Sequence, residues 1–174
     1  MKTYFDVVAQ TRVLAASFVL TFLFVGFIFP MLAGDIESLD TRTNGYDFAE
    51  VMTAMAGYGE AGRLRYALIS PTLDTLFPIC YASFYAGIIY RFAPHERLKL
   101  LAYVPLIGGL IDLGENAQVT TMLLQYPDIS EAQVAVANRF TLTKFAFTNT
   151  SMWLALAAGG WGLGSFGFEK WKSR

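Results

Sequence analysis

Four long apolar stretches dominate this sequence, and each is long enough to form a helix that crosses a lipid bilayer. They cover approximately residues 13–33, 66–90, 100–124 and 140–163. About 20 apolar residues, with a rise of about 1.5 Å per residue, span a hydrocarbon layer of about 30 Å. The sequence therefore predicts an all-α fold in which residues 1–174 form a single transmembrane domain, a bundle of four transmembrane helices.

The composition agrees with a lipid environment and excludes several classes of function. Of the 174 residues, 55% are hydrophobic and 16% are charged, whereas soluble domains average about 45–50% and about 25%. The net charge of −1 and the lack of a basic stripe argue against a nucleic-acid partner. One cysteine and one histidine are too few for a disulfide framework, a zinc cage or a bis-histidine haem, so no cofactor and no metal are expected.

A cleavable signal peptide is the competing interpretation of the first apolar stretch, since Lys2 and Arg12 precede it. Its apolar run of about 20 residues is longer than the apolar region of a signal peptide, which has about 7–15 residues. The segment Met31-Leu32-Ala33 also makes a poor cleavage site. We therefore interpret this stretch as a membrane span.

Capping signals predict a short helix in the polar loop from Gly34 to Arg65. Asp47 is a candidate N-cap, with Glu50 as its capping-box partner three residues later. Glycines then end or break that helix: Gly57, Gly59 and Gly62. Ser130 is another N-cap signal, so the fourth helix is expected to begin well before its apolar stretch.

The distribution of lysine and arginine predicts the orientation in the membrane. With four spans, the two termini and the turn from Arg91 to Lys99 share one side. That side carries Lys2, Arg12, Arg91, Arg97, Lys99, Lys170, Lys172 and Arg174. The other side carries only Arg42, Arg63, Arg65 and Arg139, together with most of the loop acids, such as Asp35, Asp40, Asp47 and Asp128. Positive loops stay inside, so both termini are predicted to be cytoplasmic.

Three acids and one lysine interrupt the apolar stretches and form the candidate site: Asp74, Asp112, Glu115 and Lys144. A charge near the bilayer centre costs at least about 2.5–3.5 kcal/mol, so it rarely occurs without a partner or a task. Three carboxyls against one ammonium leave an acid surplus. At least one carboxyl is then protonated or meets a cation or a ligand amine.

Helical periodicity adds further polar residues to the same faces. Asp74 and Tyr81 share one stripe of the second helix, and Pro78 on that stripe cannot donate a hydrogen bond to the carbonyl of Asp74. The ligand-binding candidates on the three helices are Asp74, Tyr81, Asp112, Glu115, Asn116, Lys144 and Thr148. A purely structural network, in which buried ion pairs set helix register, is the alternative interpretation of the same residues.

Several short segments of the chain form a familiar set. They are Gly59-Glu60-Ala61-Gly62-Arg63 followed by Tyr66, Leu73-Asp74-Thr75-Leu76-Phe77-Pro78 running to Tyr81, Asp112-Leu113-Gly114-Glu115-Asn116, and Thr143-Lys144-Phe145. Together they resemble an uncharacterised group of bacterial four-span (tetraspan) integral membrane proteins, over about residues 45–150. That group has no assigned activity, so the resemblance implies a topology and a bacterial inner membrane and nothing further.

Two functions compete on these observations. The first is binding or transport of a lipid or a small amphipathic or cationic molecule, indicated by the acid surplus. The second is an accessory or assembly subunit of a larger membrane complex, with the lipid bilayer and other membrane subunits as its partners. An enzyme is less favoured, because the sequence has no nucleophile elbow, metal triad or phosphate-binding loop.

Overall fold

The computed structural model describes residues 3–33 and 37–172, and within them the chain is all-α without any strand. Seven α-helices follow one another: α1 Tyr4–Val8, α2 Thr11–Leu23, α3 Phe29–Ala33, α4 Phe48–Ile69, α5 Leu73–Phe92, α6 Tyr103–Gln125 and α7 Glu131–Lys172. A π-helical turn, Phe24–Ile28, joins α2 to α3, and 3-10 turns occupy Leu39–Thr41 and Glu96–Ala102. Three residues of the orientation argument, Lys2, Asp35 and Arg174, lie outside the described residues.

The first predicted span is one helical rod with a wide turn in its middle. In that turn the N–H of Phe29 donates to the carbonyl of Phe24. Pro30 follows immediately, and its ring would clash with the carbonyl four residues earlier in a regular α-helix. The first half of the rod, α2, packs against α5. In the second half, the rings of Phe24 and Phe29 contact the ring of Phe77 on α5.

The predicted capping signals are confirmed at both positions. Asp47 caps α4, and its carboxylate and that of Glu50 each accept a 2.8 Å hydrogen bond from the other residue's backbone N–H. Gly59 breaks the same helix with φ 62° and ψ 177°, a conformation that glycine adopts without strain. Ser130 caps α7, because its Oγ accepts a hydrogen bond from the N–H of Gln133 at 3.2 Å.

The second apolar stretch, residues 66–90, is not one helix, which corrects the prediction. α4 continues to Ile69, and a turn at residues 70–72 separates it from α5, which begins at Leu73. Pro71 lies in that turn and lacks the N–H that would extend α4. Asp74 therefore lies in the first turn of its helix, instead of about two turns inside a span.

Two described helical segments are long and apolar enough to cross a membrane, Thr11–Leu32 and Leu73–Phe92. The third and fourth predicted stretches are helical in α6 and α7, but these helices do not meet the same criterion of length and hydropathy. Polar side chains such as Asp112, Glu115 and Asn149 lower their mean hydropathy. The all-α class is thus confirmed, whereas the four-helix transmembrane bundle with four membrane crossings stays a prediction.

Helices α5, α6 and α7 pack against one another, with α2 against α5 and α4 against α6. An apolar core at the α4 end contains Leu39, Val51, Met55, Val119 and Met122. A smaller core at the other end, where α1 lies, contains Ala86, Ile89, Ala102 and Ala155. The charged residues occupy the layer between these two cores.

Large apolar side chains also cover the outward faces of the long helices. They include Phe18, Phe22 and Phe27 on the first rod, Leu76 and Ile79 on α5, Ile107 and Leu110 on α6, and Trp153, Leu156 and Trp161 on α7. Monomeric soluble proteins rarely expose contiguous apolar patches of this kind.

Candidate functional site

Lys144 of α7 is the centre of the charged layer. Its ammonium forms an ion pair with the Glu115 carboxylate and lies 3.8 Å from Oδ1 of Asp112. It also donates a 2.9 Å hydrogen bond to the backbone carbonyl of Asp40. The side chain is nearly buried, with 8% of the residue exposed. The structure therefore confirms a buried cluster of one lysine with aspartate and glutamate.

Hydroxyl groups satisfy the carboxylates that pair with Lys144. Tyr81 of α5 donates to Oδ2 of Asp112 at 2.9 Å, and Thr141 of α7 donates to Oε1 of Glu115. The hydroxyls of Tyr46 and Thr141 lie 3.1 Å apart. Because Thr141 uses its only proton for Glu115, Tyr46 is the donor of that bond. Desolvation by burial raises the pKa of Tyr46 from 10.0 to about 12.

Asn116 links α6 to the first turn of α5 by a hydrogen bond. Its Nδ2 donates a 3.1 Å hydrogen bond to the backbone oxygen of Asp74. This is the carbonyl that lacks a helical partner because residue 78 is proline. Asn116 therefore satisfies a freed backbone group and does not face the cavity described below.

Asp40 is a member of the site that the sequence did not predict, because it was grouped with the acids of the outer loop. The 3-10 turn Leu39–Thr41 brings it onto the charged layer, where Tyr66 donates to its Oδ1 at 2.7 Å. Its carboxyl group is a direct neighbour of the Asp74 carboxyl group. The only signal for this position is the preceding Leu39, an apolar residue in a polar loop, which is completely buried.

A cavity of about 540 Å³ opens beside these groups. Its apolar walls come mainly from Val25, Phe29, Pro30, Leu32, Phe77 and Phe145. The polar side chains that line it are Glu37, Ser38, Asp40, Thr41, Tyr66, Asp74, Tyr81, Asp112, Lys144 and Thr148, and we call them its polar floor. Ligand sites of small molecules usually have volumes of about 300–1,000 Å³, apolar walls and a few polar groups.

The structure brings the seven predicted residues into one region and divides them into two layers. Asp74, Tyr81, Asp112, Lys144 and Thr148 line the cavity. Glu115 and Asn116 do not line it; Glu115 is completely buried behind Lys144. These two residues support the cavity wall, and the five others are available to a ligand.

Among residues 3–33 and 37–172, no group of three or more histidine, cysteine, aspartate and glutamate side chains is arranged to hold a metal ion. Comparison of the chain with protein-family models, with curated proteins and with solved structures finds no match. The resemblance to four-span bacterial membrane proteins therefore stays a prediction.

Proposed function

We propose that this chain is an integral membrane protein that binds a lipid or a small amphipathic or cationic molecule in the cavity between α3, α5 and α7. In this proposal four helical segments cross the bilayer: the rod Thr11–Leu32, α5, α6 and the middle of α7. The apolar outward faces of these helices support a lipid environment. The lysine and arginine count supports cytoplasmic termini, and the proposed location in a bacterial inner membrane rests on the resemblance alone.

The main support for the binding function is that one part of the cavity lining is apolar and another part is polar and charged. Phe29, Phe77 and Phe145 provide apolar walls for a tail, and Asp74 and Asp112 stand among the polar groups of the floor. A ligand with an apolar and a polar end matches this arrangement. Protein interiors are close-packed, so a charged layer that served packing alone would be expected to lack an open space of about 540 Å³ beside it.

The alternative proposal is an accessory subunit in which the charged layer only sets the helix packing. A continuous series of contacts favours this alternative. Lys144 pairs with Glu115, Glu115 accepts a hydrogen bond from Thr141, and Thr141 is hydrogen-bonded to Tyr46. Each of these side chains has an ion-pair or hydrogen-bond partner within the protein, as a structural network requires. A second favourable observation is the exposed face of α7 around Trp153 and Trp161, which a partner subunit could cover.

A cavity-filling variant tests the binding function. Purified protein in a neutral detergent is screened by thermal shift against bacterial lipid extract and octyl amphiphiles. Thr148→Phe places a ring in the cavity, and Thr143→Phe places the same ring on the exposed side of α7. A ligand at about 100 times its Kd stabilises the folded state by about 2.7 kcal/mol.

We expect ligand-dependent stabilisation of the wild type and of Thr143→Phe, and its loss in Thr148→Phe. Equal stabilisation of all three proteins would show that the amphiphiles act outside the cavity. If no compound stabilises the wild type and a pulldown in mild detergent returns other membrane subunits, the accessory-subunit proposal replaces it.

A further inference from the structure

Asp74 has a buried carboxylate without a cationic partner. Only 6% of the residue is exposed, and the side chain lines the cavity. Within the described part of the chain, no lysine, arginine or hydroxyl group hydrogen-bonds to this carboxylate. Its carboxyl group is hydrogen-bonded to the carboxyl group of another acid, Asp40. Two buried negative charges side by side are unfavourable, so these two carboxyl groups must share a proton or bind a cation from outside the chain.

Lys144 does not pair directly with Asp74, because its ammonium is already occupied. It has three N–H donors, and three acceptors surround it: the Glu115 carboxylate, the Asp112 carboxylate and the carbonyl of Asp40. The charged layer thus divides into a satisfied half around Lys144 and an acidic half formed by Asp40 and Asp74.

We infer that the cavity selects an alkylammonium ligand, whose primary or secondary ammonium group lies between the carboxylates of Asp74 and Asp40. This inference rests on the proposed binding function and specifies the class of its ligand. The tail of the ligand lies along Phe29 and Phe77, which line the same cavity. Carboxylate oxygens accept hydrogen bonds, so a head group with N–H donors fits better than a quaternary one.

Anions are disfavoured at the same position. A carboxylate or phosphate head group at the cavity floor would meet the acids Asp40, Asp74 and Asp112, against the single ammonium of Lys144, which already pairs with Glu115. A neutral alcohol would fill the cavity without compensating Asp74. The ammonium could come from a free amine or from an aminolipid, and the phosphate of an aminophospholipid favours the free amine.

The test compares head groups on one tail. Octylammonium, octyltrimethylammonium, octanol and octanoate are titrated at neutral pH into the wild type in zwitterionic nanodiscs, together with dihexanoyl phosphatidylethanolamine. The variants are Asp74→Asn, Asp40→Asn and, as matched control, Asp128→Asn, which removes an exposed acid that does not line the cavity.

We expect the wild type and Asp128→Asn to bind octylammonium about tenfold more tightly than octanol, the effect of one charge-assisted hydrogen bond. In Asp74→Asn the two compounds should bind equally, and retained octanol binding shows that the cavity is intact. If Asp74→Asn does not bind octanol, Asp40→Asn takes its place, and an unchanged preference there overturns the inference.

Three other results would also overturn it. They are equal binding of octylammonium and octanol by the wild type, octyltrimethylammonium binding as tightly as octylammonium, and phosphatidylethanolamine binding more tightly than the free amine. Failure of every probe, octanol included, would instead reject the binding function itself, so the two failures are distinguishable.

Discussion

The side-chain amide of Asn116 donates a 3.1 Å hydrogen bond to the backbone oxygen of Asp74, across the interface of α6 and α5. That oxygen would accept from the N–H of residue 78 in a regular helix, and residue 78 is a proline. A side chain of α6 thus replaces the backbone hydrogen bond that Pro78 removes from α5. The bond also fixes the backbone of Asp74 at the floor of the cavity.

Replacement of Asn116 by leucine should lower the free energy of unfolding by about 1–2 kcal/mol, because the Asp74 carbonyl is left unpaired in a buried site. In a Pro78→Ala background the loss should be less than half as large, since the backbone N–H of the introduced alanine can donate to the same oxygen. Reversible unfolding in mixed micelles measures the four proteins of this cycle.

The matched control is Asn149→Leu on the exposed face of α7. We expect it to change the free energy of unfolding by no more than about 0.5 kcal/mol. An equal loss for Asn116→Leu in both backgrounds would show that Asn116 stabilises the protein through a contact other than the Asp74 carbonyl.

Lys144→Met should destabilise the protein by about 3–5 kcal/mol, because Glu115 and Asp112 are left as uncompensated buried acids. The double variant Lys144→Met/Glu115→Leu should recover part of this loss. Unfolding in mixed micelles again provides the measurement. Lys99→Met removes an exposed ion pair with Glu96 and should have a far smaller effect. Equal losses for Lys144→Met and Lys99→Met would contradict a buried network.

Gly87 allows the N-terminal segment to approach α5 closely. A β-carbon at this position would lie 2.7 Å from Cδ2 of Leu14 and 2.9 Å from the carbonyl carbon of Val8. Gly87→Ala should therefore lower the free energy of unfolding by about 1–3 kcal/mol. Gly160→Ala, where nothing lies within 4 Å, should be neutral or stabilise α7 by up to about 1 kcal/mol. Similar effects of both variants would exclude a steric role for Gly87.

Stability should fall at alkaline pH through two tyrosines, Tyr46 of the loop, which is buried, and Tyr58 of α4, which is partly buried. Burial raises the pKa values of Tyr46 and Tyr58 from 10.0 to about 12 in the folded protein. Between pH 10 and 12 the unfolded chain releases protons that the folded chain retains. The stabilisation is complete below about pH 10 and is lost as the pH rises to about 12, by up to about 1.4 kcal/mol per pH unit for Tyr46 and by less for Tyr58, which solvent partly screens.

Unfolding free energies at several pH values between 8 and 12 measure this slope. Tyr58→Phe should make it shallower, and Tyr46→Phe/Tyr58→Phe more so. A slope that is identical in the wild type and the double variant would mean that neither phenol is shielded from water.

Cysteine labelling tests the four-span topology. In a Cys80→Ser background, a membrane-impermeant maleimide should label Asn44→Cys and Asp128→Cys in intact bacterial cells. It should label His95→Cys only after permeabilisation. All three positions are exposed, so access depends on the side of the membrane. Labelling of Asn44→Cys and His95→Cys from the same side would reject the predicted arrangement.

Local signals in the sequence were sufficient to predict those features of the structure that depend on residues close together along the chain. The capping box of Asp47 and Glu50, the break at Gly59 and the cap at Ser130 each depend on groups within a few residues. Helical periodicity likewise predicted that Asp112 and Glu115 point inward on α6, where both are buried. The turn after Ile69 was missed, because an apolar run on both sides of Pro71 resembles one continuous span.

The sequence by itself determined the helices, their caps and the inward-facing polar stripes, because periodicity and hydrogen bonding act over short distances along the chain. Only the tertiary structure decided which acids pair with Lys144 and which two acids, Asp40 and Asp74, face each other without a cation. Asp40 and Lys144 are 104 residues apart, and no periodic pattern connects a loop residue to a helix face. The path of the loop therefore places Asp40 beside Asp74, and the packing of α5, α6 and α7 leaves the cavity next to them.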